Sequence, residues 1–178
     1  MLQNWYLTPA SVNFLAEIVL SLVIALFLTV IIIRLRSHNI KRSHDLLIVT
    51  YFWLSVIINA LSFVSTSRSH ALSRSLFFLR DPFHILGLLL LLQFAYRFPA
   101  VLPKHTWERR FVLFLTGLDE LFQIIVALKQ FGLVTMIDLP ANLSRSDVIS
   151  GLIIIWILFV FVRQQIDSAD LPGPWWRA

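Results

Sequence analysis

Residues 11–33 read SVNFLAEIVLSLVIALFLTVIII, and Glu17 is the only formally charged side chain among them. About 20 apolar residues, each rising ~1.5 Å along a helix, cross the ~30 Å hydrocarbon core of a bilayer. The stretch therefore reads as a membrane-spanning helix. The same test finds four more spans, at about 46–66, 77–98, 111–131 and 148–162. The predicted fold is all-α: a polytopic integral membrane bundle of about five transmembrane helices forming a single domain. Residues 163–178 read as a cytoplasmic tail or a linker to something further.

Composition agrees with a lipid-facing surface. Hydrophobic residues make up 58% and charged residues 14% of the 178, against roughly 45–50% and about 25% in soluble domains. The net charge of +5 would suggest nucleic acid in a soluble protein. In a membrane protein it reflects Lys and Arg gathered in cytoplasmic loops, so no nucleic-acid partner is expected. Arg34, Arg36, Lys41, Arg42, Arg97, Lys104, Arg109, Arg110, Arg163 and Arg177 fall on one side of the predicted spans. Arg68, Arg74, Arg80, Lys129 and Arg145 fall on the other. This asymmetry predicts the N-terminus outside and the C-terminus inside. The first residues lack the basic region and cleavage site of a signal peptide, and the chain has no cysteine, hence no disulfide or thiolate chemistry.

Polar residues inside the spans are the candidate functional positions, because a buried charge costs ~2.5–3.5 kcal/mol on insertion and turns toward the bundle interior. Asn13, Glu17, Ser21, Ala25 and Thr29 recur every four residues, so they share one helical face. Ser55, Asn59, Ser62 and Thr66 do the same in the second span, and Thr116, Glu120, Gln123 and Ala127 in the fourth, beside Asp119. Arg80, His84 and Gly87 share a face of the third. For the small and hydroxyl-bearing positions, ordinary helix–helix packing accounts for the pattern. By depth, Glu17, Asn59, Arg80, His84, Asp119, Glu120 and Gln123 gather in the outer half of the bundle. Together they predict an outward polar cavity, serving either as a ligand site or as an ion-pair lock in which Arg80 offsets Glu17, Glu120 or Asp119.

The third span closes on Gln93-Phe94-Ala95-Tyr96-Arg97-Phe98-Pro99. Tyr96 and Arg97 are expected to anchor at the headgroups, with Trp107, Trp175 and Trp176 as further interface anchors. Asp81-Pro82 suits a helix start, and residues 97–110 read as a basic loop. No phosphate loop, nucleophile–base pair or His-Glu helix motif appears, and His84 is the only histidine in or beside a span. No catalytic residue, metal site or cofactor is expected, and the chain does not read as an enzyme.

The segments LTPASVNFLAEIVLSLVIALFLTV (7–30) and LLLLLQFAYRFP (88–99) resemble the N-terminal membrane regions of multidomain bacterial signalling proteins. In those proteins the spans precede a histidine kinase, a nucleotide cyclase or a phosphatase. The resemblance implies a sensory or anchoring module of the bacterial cytoplasmic membrane. It would relay ligand, lipid or partner binding through helix packing to a C-terminal output, with the bilayer and a protein partner or oligomer as contacts. An alternative is a small non-catalytic subunit of a respiratory or photosynthetic membrane complex, with a pigment or quinone in a groove along its aromatic faces.

Overall fold

A computed structural model describes residues 7–37, 44–67, 71–98, 102–133 and 146–169. Five long helices are found: α1 (Pro9–Ser37), α2 (Asp45–Ser67), α3 (Ala71–Ala95), α4 (Thr106–Gln130) and α5 (Ser146–Ala169). A short 3-10 turn, Pro103–His105, precedes α4. Among the described residues every regular element is helical. Among the described residues four stretches are long and apolar enough to cross a membrane: Pro9–Leu35, Asp45–Ser67, Pro103–Lys129 and Ser150–Ser168.

The helices form a row in which α3 is the hub. α1 packs on α2, α2 on α3, and both α4 and α5 on α3. Residue spacing explains the hub. Ile85, Leu88, Leu92, Ala95 and Tyr96 recur at three- and four-residue steps along one stripe of α3, and Ile157 and Val160 answer from α5, giving one buried cluster. Phe94 and Phe98 each lie 5.7 Å from the ring of Phe161 on α5. On the opposite side of α3, Gly87 brings the backbone close to Tyr51, Leu54 and Ile58 of α2. The large exposed side chains are overwhelmingly apolar, among them Leu20, Phe27, Ile33, Phe114 and Leu158. Water does not tolerate such continuous faces, whereas lipid does.

The helix boundaries depart from expectation at three points. α3 begins at Ala71 and runs straight through Asp81-Pro82, which was expected to start it. Proline removes one backbone donor, but in apolar surroundings a helix that stopped would strand many more. α4 starts at Thr106, not near 111, with Pro103 placed in the preceding turn. α5 continues past Val162 to Ala169, so residues 163–169 extend the helix. Trp175 and Trp176 lie outside the described residues.

Helix α4 ends in a Schellman motif. Gly132 has φ +72°, its N–H donates to the Lys129 carbonyl at 2.9 Å, and the Leu133 N–H donates to the Leu128 carbonyl at 3.0 Å. Only a residue comfortable in the left-handed region closes a helix this way.

Candidate functional site

The seven polar residues singled out from sequence do not form one cluster. Glu17, Asn59 and His84 do converge: with Tyr51, Ser55 and Gly87 they line a partly open cavity of ≈ 220 Å³ between α1, α2 and α3. The local reason is visible along α1. Below the cavity the helices close tightly, with Ser21 Oγ 3.2 Å from Ser55 Oγ, Ala25 fully buried and the Trp53 indole donating to Thr29 at 3.2 Å. At Glu17 the two helices no longer seal, and its carboxylate accepts from Asn13 Nδ2 at 2.8 Å.

Arg80 does not serve as the expected counter-charge to that cavity. Its Nη2 lies 3.2 Å from Asp81, the neighbouring residue. Glu120 faces a separate crevice between α3 and α4, lined by Leu79, Pro82 and Phe83. Asp119 faces a third space, an apolar groove of ≈ 440 Å³ between α4 and α5. Asp119 Oδ2 and Glu120 Oε2 are both shielded and lack a hydrogen-bond partner. Gln123 is buried on α4. The reason for the division is that α3 stands between α2 and α4, so polar groups at similar depth on α1 and α4 never meet.

Among the described residues the densest polar assembly lies at the other end of α3, for which the sequence predicts only headgroup anchors. Tyr96 is 1% exposed, and its hydroxyl donates to Glu108 Oε1 at 2.6 Å. Arg163 of α5 grips the same carboxylate with two prongs, Nη1 to Oε2 at 2.9 Å and Nη2 to Oε1 at 2.6 Å. The Trp156 indole N–H donates to the Tyr96 hydroxyl at 3.2 Å. Gln164, fully buried, donates to the Tyr96 carbonyl at 3.3 Å, satisfying an acceptor left open where α3 ends. A second layer lies beside it: Asp167 meets His105 Nε2 at 2.8 Å and Lys104 Nζ at 2.8 Å. Three helices and the 3-10 turn are tied together here.

Tyr and Arg at a span end usually sit at the headgroups, which is the place the sequence predicts for Tyr96. The Leu88–Leu92–Ala95–Tyr96 stripe turns the ring inward instead. Arg97 is half-buried. Trp107 is 76% exposed and stacks on Phe111 at 5.5 Å. Glu108, Trp156, Arg163, Gln164 and Asp167 were missed altogether.

The fold and its polar sites define a helical bundle of membrane type. No family model, curated protein or solved structure matches the chain.

Proposed function

We propose that the chain is the sensory membrane module of a bacterial signalling protein, non-catalytic, with five spans and the N-terminus outside the cytoplasmic membrane. One observation carries the reading. A single helix, α3, presents His84 and Gly87 to the α1–α2–α3 cavity and Tyr96 to the assembly that holds α5. A ligand that prefers one packing of α1 and α2 against α3 shifts that packing's population. The shift reaches α5 through Tyr96, Glu108 and Arg163, and α5 carries it to the residues that follow.

The test uses spin labels at exposed Arg110 on α4 and Gln165 on α5, in nanodiscs. Gly87→Leu fills the cavity far from both labels. Gly87→Ala is the control, since an added Cβ would stand 3.6–3.7 Å from its neighbours, an ordinary contact. A changed label distance in Gly87→Leu alone supports the relay, and an unchanged distance sinks it. Orientation is read separately. With no native cysteine, a Cys placed at Leu7 reacts with an impermeant maleimide from outside if the assignment holds.

The groove between α4 and α5 favours a second reading, an accessory subunit that holds an elongated quinone or pigment. Its walls are mostly apolar, with Phe111, Leu115, Leu152 and Trp156 among them and Glu108, Thr116 and Asp119 as the polar members, a lining suited to such a body. Co-purification of visible absorbance or of other subunits in mild detergent would favour it over the sensor.

A further inference from the structure

The cavity between α1, α2 and α3 has a chemistry of its own, and its ligand class follows from that chemistry. We propose that it binds a small amine in its ammonium form, with Glu17 as the counter-charge. This rests on reading the cavity as the input site of the relay.

Four observations combine. The volume of ≈ 220 Å³ lies below the ~300–1,000 Å³ of drug-sized sites, so the ligand is small. Glu17 is the only Asp, Glu, Lys or Arg in the lining, and its hydrogen-bond donor is the neutral Asn13 amide. The positive charge nearest along α3, Arg80, is matched by Asp81. Beside His84, the remaining polar wall consists of Asn59, Ser55 and the Tyr51 ring. These supply a carbonyl oxygen, a hydroxyl oxygen and a π face, each of which accepts from or attracts an ammonium.

An anion would meet Glu17 head-on, and a purely apolar ligand would desolvate its carboxylate without recompense. An ammonium does neither, and its hydrogen bond to a carboxylate is of the stronger, charge-assisted kind. His84 completes the wall as a ring that can accept in its neutral form.

The experiment is calorimetric titration of the protein in phosphatidylglycerol nanodiscs, which contain no amine. The probes are ethanolammonium and phenethylammonium, with 2-phenylethanol as the neutral analogue. The expected result is saturable amine binding, about ten- to hundred-fold tighter than the alcohol and lost by the same factor in Glu17→Gln. Three results overturn the proposal: neither amine binds, the alcohol binds as well as the amine, or Glu17→Gln binds like the parent. If Glu17→Gln does not fold, the amine–alcohol comparison in the parent protein decides.

Phosphatidylethanolamine added to the discs separates two sources of the ammonium. Competition assigns it to a lipid headgroup and absence of competition to a free solute, and either upholds the site. Amine binding with no change in the Arg110–Gln165 label distance keeps the site and removes the relay. A distance change in Gly87→Leu without amine binding does the reverse.

Discussion

The Tyr96 hydroxyl donates to Glu108 Oε1 at 2.6 Å while Arg163 holds both oxygens of the same carboxylate. One carboxylate thus joins the end of α3, the start of α4 and the lower part of α5. The side chains of Glu108 and Arg163 keep 28% and 23% of their exposure, so the pair is shielded but not dry. Its contribution lies between that of a surface pair and a fully buried one.

Breaking the pair from either side should cost about 2 kcal/mol, the range of hydrogen bonds to charged groups. Glu108→Gln and Arg163→Gln are the variants, and unfolding in mixed micelles is the measurement. The double variant should lose less than the sum of the singles, with a coupling of ~0.5–3 kcal/mol. Additive losses would show that the two side chains act independently.

Tyr96→Phe separates a buried tyrosine from a headgroup anchor. Losing the hydroxyl should cost ~0.5–1.5 kcal/mol and leave the Trp156 indole without its acceptor. Trp156 is the reporter, because its fluorescence should shift in Tyr96→Phe. A ring resting at the headgroups would tolerate Phe with no change in stability or spectrum.

The Asp167 contacts to Lys104 and His105 should respond differently. Lys104 is 56% exposed at its side chain, and exposed charges are screened within about 10 Å at 0.1 M salt. Asp167→Asn should weaken the protein only at low ionic strength, with the difference vanishing near 1 M salt. The Glu108→Gln deficit should persist there.

Gly132→Ala should cost ~1 kcal/mol, because alanine is strained at φ +72°. Thermal unfolding in detergent measures it. An Asn at the same position should recover part of the loss, since Asn tolerates the left-handed region better than Ala.

What could be read from sequence divides along a physical line. Four of the spans announce themselves, because length and apolarity are local properties, and the convergence of Glu17, Asn59 and His84 on one cavity follows from helical face. Pro82 misled, since a proline that suits the first turn of a helix sits inside α3 instead. Glu108 and Arg163 stand 55 positions apart, and His105 and Asp167 stand 62 apart. Each sits beside a span end, where charged residues are ordinary, so nothing local marks them as partners. The order of helices around α3, which separates Glu17 from Glu120, is likewise a tertiary fact.

That order bears on biogenesis. α1 docks on α2, α2 on α3 and α3 on α4, so each helix emerging during synthesis finds its predecessor already in place. α5 alone skips a neighbour to lie along α3. Until it arrives, Glu108 lacks Arg163, the Tyr96 carbonyl lacks Gln164, and the Ile85–Leu92 stripe has no Ile157 or Val160. α5 thus brings the partners that the ends of α3 and α4 lack, and its docking on α3 is the step that closes the Glu108 and Tyr96 contacts of the nascent bundle.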